Sequence, residues 1–242
     1  QAQAYKELLP SSGPVKTAIV GVQNEKTEDQ ASRVKNFMNY QITEKMEEYT
    51  PEMDQLLFYL PLAGSAFKKI YYDEIMDRPV AKFVPAEDII VPYYSSNLQD
   101  CERITHCLRM SENDLYKKMD SGFYRDVDIK PSTNSQTSIQ KKYDELEGKS
   151  PTQQAYNYQI LEMHVDLNLE KFENPEDKEK KIKVPYIVTI DEGSGKILSI
   201  YRNYEEGDRL FKRKDYFVHY KFLPGLGFYG FGLIHMIGGL TR

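Results

Sequence analysis

Four glycines in eight residues constrain this chain more than any other feature. Gly225, Gly227, Gly230 and Gly232 interleave with Leu226, Phe228, Tyr229 and Phe231. They follow Tyr216-Phe-Val-His-Tyr-Lys-Phe222, whose aromatic and branched side chains read as a β-strand. Pro224 ends that strand, because proline has no N–H to give a ladder and fixes its own φ. Glycine lets backbones approach closely and turn sharply. Residues 223–242 therefore predict a tight, aromatic-packed corner that re-aims the chain from sheet into helix. Its structural residues are Pro224, Gly225, Gly227, Phe228, Tyr229, Gly230 and Gly232. The apolar run after the corner reaches the last residue, Arg242, and the chain opens at Gln1 without an initiator Met. A piece of a longer protein is the expectation.

A second chemistry fits the same glycines. Gly225-x-Gly227-x-x-Gly230 after a strand matches the dinucleotide fingerprint, whose glycines bring backbone to a phosphate at a helix N-terminus. The intervening residues are large, however, where close approach is wanted. The confirming acidic residue, roughly 20 positions on, would fall beyond Arg242. No βαβ unit precedes the motif. Packing is the favoured reading.

Other catalytic constellations fail one by one. There is no Walker A lysine motif and no Gly-x-Ser-x-Gly elbow. His106, His164, His219 and His235 have no partners at metal-ligand spacing, and the first three occupy alternating strand positions that suit a hydrogen-bonded structural His. Cys101 and Cys107 beside His106 are not a zinc set, so free thiols are expected. The acidic neighbours Asp73/Glu74, Glu87/Asp88 and Asp191/Glu192 would point to opposite faces of a strand and cannot share a proton there. No catalytic, cofactor-binding or metal residue is predicted.

Charge narrows the partners. A net charge of -5 argues against tight phosphate binding by the chain as a whole. No apolar run approaches the roughly 20 residues a membrane-spanning helix needs. With 19 Tyr and 11 Phe the chain still has enough apolar surface for one large core or two modest ones.

Periodicity predicts an α+β chain. Residues 1–24 read as a linker, with a short strand at Thr17–Val22. From Thr27, with Gln30 as its capping-box partner, Ala31, Val34, Met38, Ile42, Met46 and Tyr49 recur on one helical face. Thr50-Pro51 restarts a second helix carrying Met53, Leu56, Leu57, Leu60 and Ala63, closed by Gly64. These two helices are expected to pack as a pair. Strands follow at Phe67–Tyr72, Val80–Val84, Ile89–Val91 and Arg103–Met110, then a helix capped by Ser111 that stops at Ser121-Gly122. Lys68, Lys69 and Lys82, with acidic neighbours, read as a solvated surface. Helix pair and small sheet make one division, residues 25–129. Residues 130–153 read as a flexible insertion. A β-rich division, 154–222, holds a long strand at Tyr158–Leu169, the charge run Glu170–Lys183 and a hairpin across Asp191-Glu-Gly-Ser-Gly195.

Two blocks of this pattern resemble one family. Phe222-Leu-Pro-Gly-Leu-Gly-Phe-Tyr-Gly-Phe-Gly-Leu-Ile-His-Met-Ile-Gly-Gly-Leu240 resembles a segment of the portal proteins of short-tailed, double-stranded DNA bacteriophages. Phe83-Val-Pro-Ala-Glu-Asp-Ile-Ile-Val-Pro-Tyr93, followed by Ile104–Leu115 and Ser121–Val127, is similar to a second segment, in the same order and spacing. The resemblance covers residues 67–127 and 156–240. It implies a head-to-tail connector: a homo-oligomeric ring, usually of twelve copies, at one capsid vertex. Double-stranded DNA passes non-specifically through its channel, without a membrane. The terminase packaging motor, which brings its own ATPase, docks on it, as do tail adaptor proteins, and the ring sits in capsid protein. Location in the virion, with assembly in the host cytoplasm, is implied, as is a structural, non-enzymatic role without cofactors. Residues 25–127 would fall in the wing, the hairpin Pro185–Tyr201 in the clip, and Gly225–Leu240 would lead into the stem. No long helix precedes the hairpin, where a first stem helix belongs. The resemblance names no channel-lining residue. Another virion adaptor or baseplate protein, binding only protein partners, is the second reading.

Overall fold

Strand alternation and helix caps recur in the computed structural model, which describes residues 2–10, 12–73, 76–131, 142, 145, 148, 158–169 and 183–238. The insertion expected at 130–153 and the charge run at 170–182 lie almost wholly outside these residues. The fold is α+β with two antiparallel sheets, and the chain divides into two units: residues 1–86 with 215–242, and residues 87–214. This differs from the divisions expected at 25–129 and 154–222. The late strand Phe217–Lys221 pairs with Ser65–Asp73, about 150 positions earlier, and no local pattern encodes that choice of partner.

In the first unit, α1 (Ala2–Leu8) occupies residues expected to be linker, α2 spans Glu25–Tyr40, a π-helical turn spans Gln41–Lys45, and α3 spans Tyr49–Ala63. The start of α2 lies a little earlier than predicted. Asn24 accepts from Thr27 N (2.9 Å) while Asn24 N donates to Thr27 Oγ1 (3.0 Å), so Thr27 is the inner member of the capping box. Glu25 and Glu28 in the first turn favour that start through the helix dipole. Likewise α3 begins at Tyr49, which places Pro51 inside its first turn.

The expected helix pair does not form as a buried seam. α2 buries none of its residues, although Ala31, Val34 and Met38 line one face; α3 buries Met53, Leu56 and Leu57. Segment 13–17 lies against α2 instead: Val15 exchanges hydrogen bonds with the Asn39 side chain, and Thr17 Oγ1 donates to Ala31 O. The strand expected at Thr17–Val22 has no ladder partner among the described residues, and the chain bends within it at Gly21.

Three strands form the first sheet: β1 (Ser65–Asp73), β2 (Arg78–Pro85) and β8 (Phe217–Lys221), in the order β2-β1-β8. Alternation divides β1 between two covers. Ala66 joins Met53, Leu56 and Leu57 under α3, with Tyr5 and Leu9 packed against them. Ser65 and Phe67 face the other way.

The second unit is one five-stranded sheet, order β3-β4-β5-β6-β7. Its strands are β3 (Ile89–Ile90), β4 (Arg103–Met110), β5 (Tyr158–Leu167), β6 (Val184–Asp191) and β7 (Ile197–Arg202). Helix α4 (Glu112–Asp120), capped by Ser111 as predicted, contributes Leu115 and Met119 to a core with Met110, Tyr124, Ile129, Tyr158, Ile160 and Leu198. The predicted β6–β7 hairpin is present. Its turn is set by Asp191, whose carboxylate accepts from Ser194 N (2.8 Å) and Ser194 Oγ (2.6 Å). β6 also pairs along its whole length with β5, so the hairpin is integral to the sheet.

Candidate functional site

The glycine–aromatic corner follows β8 and returns onto the joint between α3 and β1. Leu223 and Phe231 form a β-bridge, closing 224–230 into a loop. Phe228 alone of the loop's large side chains turns inward, 5% exposed. It stacks on His219 (4.8 Å between centroids), which in turn stacks on Phe67 (4.3 Å). Three rings thereby cover the face of the first sheet opposite α3.

Glycine is required where backbone meets backbone. Gly64 ends α3 in the left-handed conformation, φ 85°, its N–H donating to Leu60 O. A Cβ on Gly230 would lie 2.6 Å from Gly64 O and 2.7 Å from Leu223 O; a Cβ on Gly232 would collide with Leu62 O and lie 2.7 Å from Gly64 N. Gly227 meets nothing within 4 Å. A Cβ on Gly225 would collide with Tyr229 O, so close approach belongs to Gly225, within the loop, and to Gly230 and Gly232, with Gly64 on the facing side.

The amides of the corner are already engaged inside the unit. Gly230 N donates to Ser65 Oγ (2.7 Å), Phe231 N to Leu223 O (2.9 Å) and Gly232 N to His235 Nδ1 (3.1 Å). The following helix, α5 (Leu233–Ile237), has only five residues. An anion at this corner would have to displace hydrogen bonds that hold it together.

Ser65, buried beneath the corner, is its polar pivot. With Gly230 N–H donating to it, its hydroxyl proton is free for Nε2 of neutral His219, 3.2 Å away. Burial, with the Lys221 charge adding to it, holds His219 down at about 4, so the neutral ring persists through the physiological range. Sequence reasoning placed His219 correctly as a strand histidine with a structural partner, but did not name Ser65. The adjacency of Gly64 and Ser65 at a helix-to-strand joint is the signal that could have found it.

On the other face of β1, Lys68 was expected in solvent and is 1% exposed. Its Nζ sits 3.8 Å from the centroid of the Tyr49 ring, with no hydrogen-bond partner among the described residues. Burial pushes its ammonium down to about 8, against the pull of Glu52 and Glu48 in the other direction. Those carboxylates are committed elsewhere: Glu48 to Arg78 Nη1 (2.6 Å) and Ala81 N (3.3 Å), Glu52 to Phe83 N (2.6 Å).

The remaining candidates are dispersed. His164 is buried and bonded to Glu162 Oε1 (2.8 Å), and the thiols of Cys101 and Cys107 are free, burial raising that of Cys107. Among the described residues no group of three or more His, Cys, Asp or Glu is arranged to hold a metal ion. No described helix is long and apolar enough to cross a membrane.

Beyond its inward Phe228, the corner exposes apolar surface. Leu226 is 104% exposed, and Phe231, Ile234, Met236 and Ile237 are each about half exposed or close to it. The site can lock a helix–strand joint and present an apolar rim; its donors are spent on the lock. No protein-family model matches this chain, and no curated protein matches it.

Proposed function

We propose that this chain is part of a portal subunit, the ring-shaped head-to-tail connector of a tailed bacteriophage. The observation that carries the reading is the corner itself. Its resemblance to the portal segment runs through the residues that lock Gly225–Gly232 against Gly64–Ser65, and it exposes an apolar rim for which packing partners are needed. In this reading 223–238 is the joint from which the stem begins, and the helix–strand unit behind it belongs to the wing. The hairpin Pro185–Tyr201 belongs to the clip. Neighbouring copies cover the rim in a closed ring of heterologous contacts.

A net charge of -5 suits a conduit, since each neutralised phosphate would add affinity that stalls sliding DNA. The role is mechanical. The ring needs no cofactor, an ATPase motor supplies the work, and tail adaptors and capsid protein take its other faces. Electron microscopy of the full-length protein tests this. Rings with a central opening wide enough for duplex DNA are expected; a protein that stays monomeric in solution and in virus particles would overturn the reading.

A further inference from the structure

The first sheet has two edges, and they are treated differently. Ile70 N donates to Tyr216 O and Phe222 N to Gly64 O, which sets the parity of the β1–β8 ladder. Even-numbered residues of β8 face β1, and the backbones of His219 and Lys221 face outward. On the opposite edge the same parity turns residues 79, 81, 83 and 85 of β2 outward. Pro79 and Pro85 have no N–H to offer there, and Ala81 and Phe83 donate theirs to Glu48 and Glu52. The β2 edge is closed to any added strand. Among the described residues, nothing donates to or accepts from the outward backbone groups of His219 and Lys221.

A strand without a sheet lies elsewhere in the same unit. Lys16-Thr-Ala-Ile-Val20 runs without bend or turn, is rich in β-branched residues and has no ladder partner among the described residues; Val20 is 100% exposed and, past the bend at Gly21, Val22 is 81% exposed. It cannot swing freely. Val15 is tied to Asn39, Thr17 to Ala31, and Asn24 caps α2, so both ends of the segment are anchored to that helix. Its five residues match the length of β8.

We infer that residues 16–20 of one copy add as a strand to the β8 edge of a second copy. Fixed along its own α2, the segment serves a neighbour's edge and not its own. Four backbone hydrogen bonds become available at His219 and Lys221, and Val20 leaves water. Donor and acceptor are different surfaces, so the contact is head-to-tail and repeats from copy to copy until it closes on itself. The inference stands apart from the portal reading, because a self-assembling chain of any function could use this edge.

Hydrogen exchange on the full-length protein across a concentration series tests it, alongside sedimentation. As oligomer forms, the amides of 16–20 and of His219 and Lys221 should slow together by about a hundredfold or more. The double substitution Ala18→Pro/Ile19→Pro removes one N–H from each side of the segment, where there is no helix or turn for proline to break. It should leave the melting temperature of the dilute monomer unchanged and abolish assembly. Oligomers with fast exchange at these amides, assembly that survives the prolines, protection independent of concentration, or absence of oligomer would each overturn the inference. Rings without this protection would remove the strand contact and leave the portal reading intact; protected oligomers without a channel would do the reverse.

Discussion

Replacing Gly232 by Ala tests whether the corner is shaped by packing. The added methyl would collide with Leu62 O and sit 2.7 Å from Gly64 N and 2.8 Å from Leu62 C. All three are backbone atoms of the α3 terminus, so no side-chain rotation relieves the overlap, and the corner must move off the joint. That movement stretches the Gly230 N–Ser65 Oγ bond; a buried donor left without its partner costs about 1–3 kcal/mol. Loosening the Phe228–His219–Phe67 stack adds about 1–2 kcal/mol. Together the loss is about 2–5 kcal/mol, a large share of the roughly 5–15 kcal/mol that holds a domain folded. Gly227→Ala is the control, since its methyl meets nothing within 4 Å, and it should stay within about 0.5 kcal/mol of the parent or gain slightly from reduced unfolded-state entropy. Urea unfolding followed by tyrosine fluorescence, available because the chain has no Trp, gives the difference. Exchange of the Gly230 amide locates it. Equal stability of the two variants, or a larger loss at Gly227, would refute the packing account.

Two further predictions concern protonation. Lys68 titrates near 8 when folded and near 10.5 when unfolded, so between those values the unfolded chain binds the extra proton and stability rises with pH, by about 3 kcal/mol. Lys68→Met should flatten that rise in urea-unfolding free energies measured from pH 7 to 10; an unchanged slope would contradict the buried ammonium. His219 titrates near 4 when folded against about 6.5 unfolded, so stability is lost as pH falls from 6.5 to 4, by roughly 2–3 kcal/mol. His219→Gln should remove that share of the acid sensitivity, and the His219 ring itself titrating near 6.5 in the folded parent would disprove the assignment.

The parts legible from sequence are those set by local rules. The Ser111 cap of α4, the Gly64 stop of α3, the Asp191–Gly195 turn and the spans of β4, β5 and β6 all follow from side chains within a few residues of one another. The amphipathic stripe of α2 marked a face that needs cover and did not say what covers it. Lys68 was misread for the same reason, because the Tyr49 ring that accommodates its ammonium arrives from another element. Of the corner, the seven named residues were visible as a packed turn. Gly225 must be glycine for a local reason, the carbonyl of Tyr229, whereas the demand for glycine at 230 and 232 and its absence at 227 depend on a helix end some 165 positions earlier, the separation between Gly230 and Ser65.

Glycine spacing, proline stops and two-residue alternation, acting over a handful of bonds, were enough to determine that this chain turns sharply after its last strand and mixes helices with antiparallel strands. Which strands meet, which sheet edge is blocked and which left open, and which buried hydroxyl anchors the corner were decided only by tertiary structure. Those choices join residues far apart in the chain, where burial and hydrogen-bond satisfaction summed over the whole unit select the partner.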